Sequence, residues 1–255
     1  MFYTLFKYGL FRPLIRLLYR PKVVGAEHIP ETGPAILVSN HISAGDTLVL
    51  PAMIRRQLRF PAKAELFAGG GVGMAVVSWF LRVVGQLPMD RSGGRASASS
   101  MEGVLGVLRD QNLLGIYPEG TRSPDGRLYK GKTGVARLVL GSGVPVVPVG
   151  MQNTQFVRSA FFGVPTMRRP VVRFGPPLDF SAYAGAGNDR DVLRYVTDEI
   201  MAAVQELTGQ PYVDAYGASV KAALREGKPM AVAEVARPGL GRPVPPLPPL
   251  PERSA

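Results

Sequence analysis

From Lys22 onward, short apolar runs alternate with longer stretches in which apolar residues recur at helical spacing. Runs at 35–39, 112–117, 144–149 and 171–174 read as strands, and the periodicity between them predicts helices over 47–57, 72–84, 97–109, 133–140 and 189–207. The last of these carries Val192, Leu193, Val196, Ile200, Val204 and Leu207 at helical spacing. The alternation belongs to an α/β fold, a single domain with a central mixed β-sheet flanked by helices, and not to a bundle or a sandwich. Glycines at 69, 70, 71 and 73 and the stretch 91–95 mark loops, and no internal repeat is visible.

The two ends depart from this pattern. Residues 2–20 mix Phe2, Leu5, Phe6, Leu10, Phe11, Leu14, Leu17 and Leu18 with Lys7, Arg12, Arg16 and Arg20, a basic amphipathic composition suited to a bilayer interface. Pro13 is expected to kink this N-terminal helix. Its recurring arginines, with no small-residue cleavage site after them, mark mature chain rather than a secretory signal. The competing reading is a helix docked on the core whose arginines are its solvated face. At the other end, 237–255 holds Pro238, Pro243, Pro245, Pro246, Pro248, Pro249 and Pro251, too many for helix or sheet. The chain thus divides into an N-terminal membrane-interface helix (1–21), an α/β domain with C-terminal helices (22–226) and a disordered Pro-rich C-terminal tail (227–255).

Composition narrows the function. At 255 residues and 46% apolar content the chain buries one full core. It has no unbroken apolar stretch of about 18 residues, so membrane contact is expected at the surface. The absence of cysteine excludes disulfides, thiolate metal sites and cysteine nucleophiles, and two histidines give a metal site little support, so none is expected. A net charge of +11 attracts polyanions. No aromatic run interleaves with the arginines and there is no Cys/His finger or basic zipper, which sets nucleic acid aside and leaves an anionic membrane surface as the expected partner.

With two histidines, a general base near neutral pH has few candidates. His28, between Gly25-Ala26-Glu27 and Ile29-Pro30, reads as a surface loop residue. His41 follows the apolar run 35–39 and projects from the C-terminal end of a strand, the edge where α/β sites collect. Asp46 lies five residues on; along one continuous helix the pair would diverge by about 140°, so Ser43-Ala44-Gly45 must turn for the carboxylate to reach the imidazole. Such a turn would fix the tautomer through Nδ1 and free Nε2 to accept a proton. The alternative is that Asp46 merely caps the following helix.

The strand near 113–117 ends in Pro118-Glu119-Gly120-Thr121-Arg122-Ser123. Arg122 offers a planar fork for a phosphate dianion, Gly120 lets backbone amides approach, and Glu119 is expected to hold an arginine in place or to bond a hydroxyl. Asn40-His41-x4-Asp46, followed by Tyr117-Pro118-Glu119-Gly120-Thr121-Arg122-Ser123, resembles the 1-acylglycerol-3-phosphate acyltransferase family, a branch of the glycerolipid acyltransferases. Gly85-Gln86-Leu87-Pro88-Met89-Asp90-Arg91 is similar to that family's second block, Val144-Pro145-Val146-Val147-Pro148-Val149 to its fourth, and Lys63 to a family lysine.

The resemblance implies His41 as base, Asp46 as its orienter, and Glu119, Gly120, Thr121 and Arg122, with Arg91, as substrate-binding residues around the acceptor phosphate. It also implies acyl transfer from acyl-CoA or acyl carrier protein to lysophosphatidic acid or a related lysolipid. The product would be phosphatidic acid, made without a cofactor; with the basic amphipathic segment 2–20, the enzyme is expected on the cytoplasmic face of a membrane, peripheral or monotopic. An activated thioester needs no covalent acyl-enzyme, so direct transfer is expected.

Rival readings are weaker. Gly126–Thr133 fits the P-loop pattern, but a turn-rich segment separates it from the preceding strand, and no apolar run ending in a magnesium-binding aspartate follows. The G-x-S-x-G hydrolase elbow is absent. A non-catalytic membrane adaptor would not need His41 and Asp46.

Overall fold

The computed structural model describes residues 2–68, 70–83, 85–89, 94–158, 165–228 and 230–248. Six strands form the main sheet: β1 (Lys22–Val24), β2 (Ala35–Ser39), β3 (Leu58–Arg59), β4 (Leu113–Ile116), β5 (Val146–Gln152) and β6 (Val171–Phe174). Their order is β1-β6-β5-β2-β4-β3, with every neighbouring pair parallel except β5 and β6. The sheet is therefore mixed, as the sequence pattern implied. All five residues of β2 are buried, as a central strand covered on both faces requires.

Period-two alternation splits the core in two. Leu37, Leu113, Val147 and Val149 face a cluster with Val49, Leu50, Met53, Phe60 and Ile15. Ile36, Val38, Leu114 and Val146 face the other side, against Val107, Leu108, Val135, Val139, Val192, Val196 and Ile200. The helices are α1 (Phe2–Phe6), α2 (Arg12–Tyr19), α3 (Asp46–Met53), α4 (Gly71–Val83), α5 (Gly94–Arg109), α6 (Gly134–Ser142), α7 (Arg190–Thr208) and α8 (Gly217–Arg225), of which α2, α3, α5, α6 and α7 give buried residues to these two clusters. α3 stops four residues short of its predicted end. Pro51 lies inside it and lacks the amide for its own rung, and Ile54 is extended, leading the chain to β3 at the sheet edge.

The N-terminal helix runs through a π turn at Lys7–Phe11 directly before Pro13, where a missing amide is accommodated. The helix docks on the domain through some residues and leaves others outside. Ile15 enters the core, while Leu5, Leu10, Leu14, Leu17 and Leu18 stay exposed. Lys7 is buried and donates its ammonium to Arg56 O at 2.8 Å; burial, and then Arg12, lower its pKa to about 8.

Within the C-terminal tail the described residues reach Pro248. Glu234–Val235 pairs with the two-residue strand Tyr212–Val213, which itself pairs in parallel with Leu128–Tyr129. Beyond it the prolines do prevent helix and sheet. Arg242 nevertheless clamps the segment to Asp198 and Asp214, and Pro245 O accepts the Tyr183 hydroxyl. Ion pairs and hydrogen bonds, among them Gln205 Nε2 to Ala236 O at 3.1 Å, thus supply an anchor that composition does not reveal.

Candidate active site

β2 delivers the chain to the site, and Asn40 fixes how it leaves the sheet. Its side chain accepts the Met151 N–H at 2.8 Å and donates to Met151 O at 2.9 Å, extending the β2–β5 pairing by one rung made from a side chain. The backbone then turns through Ser43-Ala44-Gly45 into α3. Gly45 is required there, because a Cβ would lie 2.2 Å from Thr154 O.

Asp46, the first residue of α3, is wholly buried and points back into this turn. Its Oδ2 lies 2.9 Å from His41 Nδ1 and accepts the amides of Ile42 at 2.7 Å and Ser43 at 2.9 Å. Its Oδ1 accepts the Thr154 hydroxyl. A carboxyl in a dry interior needs this many donors. The helix-capping alternative falls, since Gly45 occupies the cap position and no side chain caps α3. With Nδ1 donating to Asp46, Nε2 is the imidazole nitrogen left for a ligand.

The ring of His41 is held from its flat side as well. It stacks on Tyr117 with centroids 4.0 Å apart, and Tyr117 stacks in turn on Phe60 at 5.2 Å. Gly115 makes room for this pile, because a Cβ there would sit 2.2 Å from the Phe60 ring. The Tyr117 hydroxyl is buried and has no hydrogen-bond partner among the described residues; burial, reinforced by Asp46, drives its pKa well above the ordinary phenol value.

Glu119 does not hold an arginine or face a hydroxyl. It is buried, with Oε1 accepting the His41 N–H at 2.9 Å and Oε2 the Tyr129 N–H at 3.1 Å. Burial pushes its carboxyl up to about 8; the two amides oppose that rise, and Asp46 and Asp125 add to it. Glu119 therefore straps the histidine turn to the strand Leu128–Tyr129 and makes no contact of its own with the cavity. Gly120, at φ +69°, reverses the chain after it so that Thr121 and Arg122 return towards His41, and Ser123 N donates to His41 O at 2.7 Å.

His41, Gly120, Thr121 and Arg122 line one cavity of about 580 Å³. Phe60, Pro61, Leu66 and Leu81 give it an apolar side, and Gln86 brings the second sequence block to its wall. Arg122 is exposed in it and has no acidic partner among the described residues. Arg91 and the side chain of Lys63 lie outside the described residues. The fourth block forms β5, whose continuation carries Thr154 beneath Asp46. Thr154 was not foreseen, and no motif or periodicity in the sequence marks it. The P-loop pattern is broken structurally, because Leu128–Tyr129 is a paired strand inside it.

An α/β domain with a histidine–aspartate pair and an arginine in one partly apolar cavity has the makings of an acyl-transfer site. The sequence profile of the Acyltransferase family matches residues 20–152, and the chain belongs to that family. It is 29% identical over 137 residues to the chloroplastic 1-acyl-sn-glycerol-3-phosphate acyltransferase BAT2 of Brassica napus, covering 53% of this chain and 38% of that one. To the human 1-acyl-sn-glycerol-3-phosphate acyltransferase alpha it is 33% identical over 144 residues, covering 55% and 49%. To the Borreliella burgdorferi enzyme of the same name it is 30% identical over 142 residues, covering 55% of each. The matched stretch thus spans about half, or less, of these relatives' own length. The crystal structure of the 1-acyl-sn-glycerophosphate acyltransferase PlsC from Thermotoga maritima shares the fold, with a TM-score of 0.57 over 80% of this chain and 78% of that one at 24% identity.

Proposed function

We propose that this protein transfers a fatty acyl group from an acyl thioester to the free hydroxyl of 1-acylglycerol-3-phosphate, giving phosphatidic acid. The observation that carries this is His41, its Nδ1 tied to buried Asp46, in a cavity that has Arg122 at its polar side and apolar walls opposite. The family's named relatives act on this acceptor by their titles, which supports the same substrate here. Nε2 takes the hydroxyl proton as the oxygen bonds to the thioester carbon. The carbon–sulfur bond then breaks, and the departing thiolate receives that proton from the imidazolium. No enzyme nucleophile or cofactor is needed, because the thioester is already activated. The amides of Thr121 and Arg122 have no partner among the described residues and are suited to the tetrahedral oxyanion. The donor is acyl-CoA or acyl carrier protein.

The same reading places the protein on the cytoplasmic face of a membrane, peripherally attached. Among the described residues no helix is long and apolar enough to cross a membrane, while the leucines of the N-terminal helix are exposed.

The test is transfer from labelled acyl-CoA to lysophosphatidic acid in vesicles, wild type against His41→Ala. Product from the wild type alone is expected. No product from either, extending to other lysolipids and to acyl carrier protein donors, would overturn the reading in favour of a membrane adaptor.

A further inference from the structure

α8 begins well beyond residue 152, where the family match ends, yet it forms part of the catalytic cavity. Ala218, Lys221, Ala222 and Arg225 line that cavity. Their i, i+3, i+4, i+7 spacing puts them on one helix face. Two alanines keep this face low, and the two cations stand one turn apart, about 6 Å along the axis.

Neither Lys221, Arg225 nor Arg122 has an acidic partner among the described residues, although cations close by in sequence and space do. Lys130 pairs with Asp214, Arg127 with Asp125, and Arg242 with Asp198 and Asp214. Burial, then the charges of Arg122 and Arg225, lower the Lys221 pKa, which agrees with three cations converging on one space. Repulsion among them is withstood because packing fixes the helix. A Cβ at Gly217 would lie 3.3 Å from Tyr129 and 3.6 Å from Thr121, so the helix start lies close against Tyr129 and near Thr121. Val220 packs in the core with Tyr129 and Val213, and Lys130 N donates to Ala215 O at 3.0 Å.

We propose that Lys221 and Arg225 join Arg122 to bind the phosphate monoester of the acceptor lipid, making α8 the element that selects a dianionic headgroup. This rests on the acyl-transfer reading above. Chemistry favours the acceptor over the donor. On a glycerol phosphate the reacting hydroxyl and the phosphate occupy adjacent carbons, so a phosphate must lie close to His41 during reaction. The phosphates of acyl-CoA are separated from its thioester by the whole pantetheine arm. Charge-assisted hydrogen bonds to a phosphate favour a doubly charged monoester over a singly charged diester.

The test is steady-state kinetics on Lys221→Ala/Arg225→Ala and on Lys221→Arg. The double variant is expected to raise KM for lysophosphatidic acid about tenfold or more, with kcat within about twofold and KM for acyl-CoA unchanged. Its preference for lysophosphatidic acid over lysophosphatidylglycerol, a diester, should fall by a similar factor, and Lys221→Arg should retain most of it. An unchanged KM for lysophosphatidic acid overturns the proposal, and so does a rise confined to acyl-CoA, which would assign these cations to the donor. A wild type that acylates neither lysolipid would instead overturn the functional reading, and this inference with it.

Discussion

Glu119 accepts the backbone N–H of His41 at 2.9 Å, so the acid of one sequence motif holds the main chain of the other. Its second oxygen takes the Tyr129 amide, which links the histidine turn to the strand that supports α8. Burial raises this carboxyl from 4.5 to about 8, and the folded protein therefore keeps a proton that the unfolded chain releases. Stability from this group is present below about pH 4.5 and is lost as pH rises to about 8, by up to about 1.4 kcal/mol per unit. Glu119→Gln cannot ionise. Its stability relative to wild type, from denaturant unfolding at pH 5 to 9, should climb with pH and level off above about 8; a constant difference would mean the carboxyl titrates normally.

Thr154 gives its hydroxyl to the oxygen of Asp46 that the histidine turn does not use. Thr154→Val keeps the shape and leaves that buried oxygen without its donor, at a cost of about 1–3 kcal/mol. The expected result is a lower melting temperature and a kcat reduced about tenfold, with KM for the lysolipid little changed and Thr154→Ser close to wild type. Wild-type kcat in Thr154→Val would show that the histidine pair is positioned without it.

Tyr117 presents its ring to His41 while its hydroxyl is buried without a partner among the described residues. Removing an unsatisfied polar atom recovers its desolvation cost, so Tyr117→Phe should stabilise the protein by about 1 kcal/mol and keep kcat. Tyr117→Leu, which loses the stack, should lower kcat. Destabilisation by Tyr117→Phe would reveal that the hydroxyl is satisfied after all.

The strand at 35–39 was legible to the residue because a strand buried on both faces reads as an apolar run, and that at 171–174 because Pro170 and Gly175 bound it. His41 and Asp46 were legible because only a turn lets that spacing make contact. Glu119 was located but assigned the wrong partners, since a carboxylate beside an arginine in sequence suggests an ion pair and says nothing of amides 10 and 78 residues away. Thr154 and the cations of α8 reach the site through sheet order and packing, which no local pattern encodes. The short strands at 22–24 and 58–59 carry too few residues for a periodicity.

The N-terminal helix turns Ile15 and Lys7 inward and leaves Leu5 and Leu17 each 72% exposed. One helix can thus dock on the domain and still offer apolar side chains to a bilayer. Inserting a leucine is worth about 1.5–3 kcal/mol, so Leu10, Leu14, Leu17 and Leu18 together outweigh what screened arginines contribute at moderate salt. Replacing all four by serine should therefore release the protein from anionic vesicles in a sedimentation assay at moderate salt, without lowering its melting temperature, because none of the four belongs to the buried core. Undiminished sedimentation would move the contact elsewhere, and exposed Val72, Val76 and Trp79 on α4 would be the next face to alter.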